Sequence, residues 1–337
     1  MRRGLMAWDA AELPRAALDA RMERLRAELR AEGVDAFVAY TNIARGAAVC
    51  WLSGFTPYWN EGLFYAPLQG EPIFATALSK RVAEWIGSVM PVGAVTTTPK
   101  PPALIGEALA RDGAKRIGVL ELEDFPAGHA QTILATAPGV ELVDVTQAFA
   151  RARGAVDDAE RGMLRRAEDL VETGLAACDA ATTDARALIA ACDHAARLGG
   201  AEECFTTLAP DLARSGAFLR TDTAADLGET FALRVAVAYK GVWTRRAQTF
   251  SRDPALASSF AKAEAALASF NLEGAPEPAL QRHFASLGVL ENWSIEQPRG
   301  SYPLAAVEAP SANAPYVLNV ELAIDGRRWI GARLLAL

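Results

Sequence analysis

The sequence predicts two domains, an α/β half over residues 1–154 and an α+β half over 155–337, and three observations predict it. A chain of 337 residues is longer than one ordinary hydrophobic core fills and comfortable for two. Over roughly the first 150 residues, short apolar runs of strand type alternate with helical patterns. After Asp157 the texture changes to a long amphipathic helix and then to two hairpin signals. With 51% hydrophobic and 22% charged residues and no long polar tract, both halves are expected to fold.

In order along the chain, Leu18, Met22, Leu25 and Leu29 recur at helical spacing, and Gly33 ends that helix before the apolar run Val34 to Tyr40, a buried strand. Further strands are predicted at Gly62 to Pro67, Pro72 to Thr76, Lys115 to Leu120 and Glu141 to Val145, with a helix carrying Val82, Trp85 and Ile86 directly after the strand Pro72 to Thr76. Such alternation describes a three-layer α/β domain. No GxGxxG follows any strand, so dinucleotide binding is not supported and no cofactor is expected. Asp157 and Glu160 form a capping pattern for a helix whose apolar face is Leu164, Ala167, Val171, Leu175 and Cys178. A second helix spans about Asp184 to Leu198. Thr230 to Ala238 and Val242 to Phe250 then alternate around Tyr239-Lys240-Gly241, and Tyr316 to Ile324 and Arg328 to Leu335 flank Asp325-Gly326.

The net charge of -7, with Arg and Lys scattered among Asp and Glu, leaves no basic stripe for a phosphate backbone, so nucleic acid is excluded as a partner. No apolar stretch reaches signal-peptide or membrane-spanning length, and a soluble cytoplasmic protein with no membrane partner is expected. Cys50, Cys178, Cys192 and Cys204 show no CxxC pairing and read as buried free thiols. The three histidines, His129, His194 and His283, lie far apart and without HxxxH spacing.

Several motifs then carry a family resemblance. Met22 to Phe55, with Asn42-Ile43 and Trp51-Leu52-Ser53-Gly54-Phe55, the turn Gly70-Glu71-Pro72-Ile73, and the stretch from Val143-Asp144 through Arg153 to Arg165-Arg166-Ala167-Glu168 resemble, in order, the creatinase, prolidase and aminopeptidase P superfamily. The resemblance covers most of the chain. It implies a creatinase-like N-terminal α/β domain and an α+β pita-bread C-terminal domain, the latter shorter than usual between Phe250 and Gly300.

In that family the C-terminal domain holds two divalent metals on two Asp of a hairpin, one His and two late Glu. The matching hairpin here has Arg234 and Arg245 where the Asp residues stand, and Gly300-Ser301-Tyr302-Pro303 through Glu308-Ala309-Pro310 has Ser301 and Val307 at the histidine positions. Asn319-Val320-Glu321 keeps one Glu, and the last is replaced by Gly331 or a neighbour. Because guanidinium repels a cation and one ligand cannot hold two metals, the resemblance implies no metal site and no metallopeptidase activity. Creatinase-like relatives work without metal through a histidine, yet the matching region Arg214 to Arg220 has none.

Two readings of Arg234, Arg245 and Glu321 stay open. They form a salt-bridged filling of the old metal cavity, or they form a cationic receptor for a small acidic molecule, with Trp243, Ser301 and Tyr302 as further lining. Glu308 is the candidate acid or base if any reaction occurs, and Cys204 and Ser215 lack a linked base, since His194 shares no motif with them. The functions that follow are a ligand-binding or non-catalytic subunit, a metal-independent hydrolase or lyase acting on a C–N or related bond, or a dimeric scaffold. Tyr58, Trp59 and Asn60 are candidates to face a partner, and a homodimer or a heteromer with a related subunit is expected.

Overall fold

The computed structural model describes residues 8–55, 61–220, 226–298, 305–310 and 313–337. It divides into two compact units whose break lies between Ala159 and Glu160.

In the N-terminal unit, α1 (Arg15–Ala31) buries Leu18, Met22, Leu25 and Leu29 and stops at Gly33, whose φ of 65° is the left-handed conformation that ends helices without a Cβ clash. The chain continues through β1 (Ala36–Thr41), α2 (Ala47–Ser53), β2 (Gly62–Pro67), β3 (Ile73–Thr76), α3 (Lys80–Val89), β4 (Ala94–Thr97) and α4 (Pro101–Asp112). It closes with β5 (Arg116–Val119), α5 (Ala127–Thr136), β6 (Glu141–Asp144) and α6 (Thr146–Ala152). The strands form one mixed sheet in the order β4-β3-β2-β1-β5-β6. Strand alternation sends Phe37 and Ala39 of β1 toward Leu25, Leu52, Ile86 and Phe149, and Ala36 and Val38 toward Ile105, Leu109 and Ile133. Both faces are therefore covered by helices, which is the predicted three-layer arrangement. Asp157, expected to open the following helix, has its carboxylate gripped by the buried Arg21 through Nε at 2.6 Å and Nη2 at 2.9 Å.

In the C-terminal unit, α7 (Asp158–Ala176) and α8 (Ala185–Leu198) are followed by β7 (Glu203–Ala209), β8 (Thr230–Tyr239) and β9 (Val242–Ser251). Asp184 caps α8 by accepting from the Arg186 backbone N–H at 2.9 Å. Then come α9 (Pro254–Ser269), α10 (Pro276–Phe284), β10 (Val289–Gln297), β11 (Ala305–Val307), β12 (Tyr316–Ile324) and β13 (Arg327–Leu335). The hairpin turns Lys240-Gly241 and Asp325-Gly326 have positive φ at both residues, 45° and 85° and then 51° and 71°, which matches the twist of the flanking strands.

The strands lie in the order β11-β10-β12-β13-β9-β8-β7, all paired antiparallel. One face of the sheet packs its apolar residues on helices. Phe231, Leu233, Val235 and Val237 meet α7 and α8, while Leu318, Val320, Leu322 and Trp329 meet α9 and α10. The residues between them in each strand therefore point to the opposite face.

Candidate functional site

That opposite face holds a cavity of about 300 Å³ whose lining includes Phe218, Arg234, Arg245, Glu296, Asn319 and Glu321. Its floor is a cross-strand row. Arg234 pairs with Ala247, Ala247 with Ala332, Ala332 with Asn319, and Asn319 with Ser294. Two alanines between a guanidinium and a carboxamide leave the space open, because neither side chain reaches beyond its methyl group.

Arg234 lies with its guanidinium carbon 3.9 Å from the centre of the Phe218 ring, a stacking that holds the cation plane in place. Arg245 donates from Nη1 to Glu296 Oε1 at 2.8 Å, and both side chains are nearly buried. Glu321 pairs with Arg328 at 2.5 Å across the last hairpin. Within this set, Arg245 Nε, Glu296 Oε2 and both amide atoms of Asn319 are buried without a hydrogen-bond partner.

The sequence expectations fare unequally against this geometry. Arg234, Arg245 and Glu321 come together on one cavity. The carboxylate beside Arg245 is Glu296 and not Glu321, whose own partner is Arg328. Trp243 shares the strand face but sits deep in the sheet, 1% exposed and stacked on Phe205 at 5.7 Å, outside the cavity lining. Position 331 points to the helices, since a Cβ on Gly331 would meet Trp329 Cη2 at 2.3 Å, and Ile330 faces the cavity instead. Glu308 is exposed beyond β11 and does not line the cavity. Ser301, Tyr302, Tyr58, Trp59 and Asn60 lie outside the described residues.

Cys204 is buried with its Sγ 3.3 Å from Asp193 Oδ1, and burial together with that carboxylate pushes the thiol pKa up, which opposes thiolate formation. Ser215 is exposed, and its hydroxyl accepts from the Ala217 backbone N–H at 3.1 Å. Neither is paired with His194. Phe218, Glu296, Asn319 and Arg328 were not singled out from sequence. For Arg328 a signal existed, because it and Glu321 lie diagonally across the Asp325-Gly326 hairpin.

Residues 21–154 match the Creatinase/Prolidase N-terminal domain family. The described fold as a whole is that of solved X-Pro aminopeptidase and prolidase structures, an N-terminal creatinase-like domain followed by a pita-bread-like domain. It is similar to the crystal structure of an X-Pro aminopeptidase from Thermotoga maritima, with TM-score 0.67 and 13% identity over 92% of this chain and 97% of that one. It is equally similar to a prolidase from Pyrococcus horikoshii, with TM-score 0.67, 14% identity and coverage of 94% and 98%. A dipeptidase from Mycobacterium ulcerans gives TM-score 0.63, 15% identity and coverage of 98% and 94%. No curated protein matches the chain. No helix among the described residues is long and apolar enough to cross a membrane.

Proposed function

We propose that this creatinase/prolidase-fold protein works without a dinuclear metal centre and binds a small carboxylate-bearing ligand in the C-terminal cavity, as a non-catalytic binding protein or subunit. The observation that carries the reading is the joint placement of Arg234 and Arg245 on the cavity. A divalent cation requires carboxylate, imidazole or thiolate donors. Among the described residues, the two carboxylates lining the cavity already face guanidinium groups, Glu296 that of Arg245 and Glu321 that of Arg328. A further guanidinium on the cavity, that of Arg234, opposes a cation placed there. The donor set is a poor fit for the metal pair, and no reaction step is routed through one.

A carboxylate fits better. A guanidinium presents five N–H donors in a planar fork, so a first partner still leaves donors for a bidentate anion. The Phe218 ring lies 3.9 Å from the Arg234 guanidinium, and Ala247 and Ala332 build the floor beside it. In the same reading the protein is a homodimer or pairs with a related subunit, which light scattering and co-purification measure.

The test is calorimetry with a panel of small mono- and dicarboxylates, alongside metal analysis and a dipeptide hydrolysis screen with added manganese or cobalt. Carboxylate binding that Arg234→Ala abolishes, with no stoichiometric metal, is the expected result. Manganese-dependent peptidase activity would overturn the reading.

A further inference from the structure

The cavity holds more than cationic charge. Three strands along the floor row from Arg234, the Asn319 amide has neither its N–H2 donor nor its carbonyl acceptor paired, although both atoms are shielded from water. Each unsatisfied buried group of this kind costs about 1–3 kcal/mol, and native proteins rarely keep one without a reason. Across the same cavity, Arg245 and Glu296 are joined through Nη1 and Oε1, while Arg245 Nε and Glu296 Oε2 are buried and unpartnered. Two donors and two acceptors are thus left over.

A carboxylate cannot complete this set. It has acceptors only, and its charge would face Glu296 Oε2 and the Asn319 carbonyl. A carboxamide offers one acceptor and a pair of N–H donors on adjacent atoms, and can answer both. We infer that the ligand of this cavity is an amide-bearing acid, its carboxylate toward Arg234 and its carboxamide read by Asn319 with Glu296 and Arg245 Nε. This rests on the proposed carboxylate binding and adds the chemistry of the other end.

The spacing limits the ligand. Arg234 and Asn319 stand three strand spacings apart, about 14 Å between backbones. The cavity of about 300 Å³ admits only a small ligand, an acid and an amide joined by a few carbons.

The experiment uses the full chain and three homologous series, the free acids malonamate, succinamate and glutaramate, each compared by calorimetry with its dicarboxylate and with the methyl ketone acid of the same length. The ketone keeps the acceptor and replaces N–H2 by methyl, so it isolates the donor. At one chain length the amide acid should bind about tenfold or more tightly than both analogues, since a site with unpaired polar groups rejects a ligand lacking the partner. Asn319→Leu should remove that preference, bringing the amide acid and its methyl ketone analogue to within about twofold of each other. The same variant removes an unsatisfied amide at nearly constant volume, so its melting temperature should hold or rise.

If carboxylates bind in an Arg234-dependent manner with no preference for the amide at any length, this inference fails and the carboxylate reading stands. Should none of the acids bind, both fail. A marked loss of melting temperature in Asn319→Leu would assign the amide a structural partner and also overturn the inference.

Discussion

Arg245 on β9 and Glu296 on β10 meet at 2.8 Å although β13 and β12 lie between their strands. The ion pair bridges the cavity face of the sheet, with side chains 10% and 13% exposed. Its weight in stability comes from burial, because each charge has left water and has the other as its compensation. Removing one partner leaves an uncompensated buried charge, whereas removing both leaves none.

Glu296→Ala should therefore destabilise the C-terminal unit by roughly 3 kcal/mol, and Arg245→Ala by a similar amount. The double variant Arg245→Met with Glu296→Leu should recover most of that loss. Urea unfolding of the four proteins gives the comparison, and additive losses in the double variant would show that the two side chains do not act as a pair.

On the helix face of the same sheet, Arg246 is surrounded by Glu172, by Glu264 at 2.9 Å and by Glu168 at 4.0 Å, and Thr244 donates to Glu168 at 3.2 Å. Burial pushes the Glu168 carboxyl up to about 7 from the ordinary 4.5, against the lowering influence of Arg246 and Arg333. Burial raises Glu264 as well. Between pH 4.5 and 7 the folded chain then holds a proton on Glu168 that the unfolded chain has released. The stability this contributes is whole below 4.5 and is lost as pH rises through 7. Glu168→Gln should flatten the fall by up to roughly 3 kcal/mol, with Thr244 still donating to the new amide oxygen. Urea midpoints measured from pH 4.5 to 8.5 read the slope directly, and an unchanged slope in the variant would rule Glu168 out as its source.

In the N-terminal unit, Asp157→Ala should destabilise by about 3 kcal/mol, because Arg21 is 2% exposed and loses both carboxylate contacts at 2.6 and 2.9 Å. Its remaining contacts are the Trp51 carbonyl at 3.0 Å and the Trp51 ring at 5.5 Å. Thermal unfolding checks the size of the loss. Asp157→Asn, which keeps the acceptor but not the charge, should lie between the two.

The contrast between these clusters shows what the sequence could and could not disclose. Both hairpins were legible because Lys240-Gly241 and Asp325-Gly326 carry the residue types that tolerate positive φ, flanked by alternating runs. Arg234 and Arg245 were legible as a pair, since strand alternation about the first turn places them on one face. Glu296 was not. Its meeting with Arg245 depends on β10 joining the sheet beside β12, a non-local order set by how α9 and α10 cover the sheet, and no local pattern records it. Asn319 went unread for a different reason. A polar residue next to the retained Glu321 looks ordinary in a sequence, and its meaning appears only when both amide atoms are found buried and unanswered.

The charge argument against a metal centre can be tested by reversing it. Replacing Arg234 and Arg245 by Asp would place two carboxylates on the cavity and release Glu296 from its guanidinium partner, giving three acidic side chains beside Glu321. Without metal these like charges repel, so the double variant should melt below the parent in the presence of EDTA. Added manganese or cobalt should then raise its melting temperature in a concentration-dependent way, because a cation that binds only the folded state stabilises it by mass action. The parent, whose cavity carboxylates face Arg245 and Arg328, should show no such rise. A manganese-dependent rise in the parent equal to that of the variant would mean that the two arginines do not keep metal out, and the charge argument would be wrong.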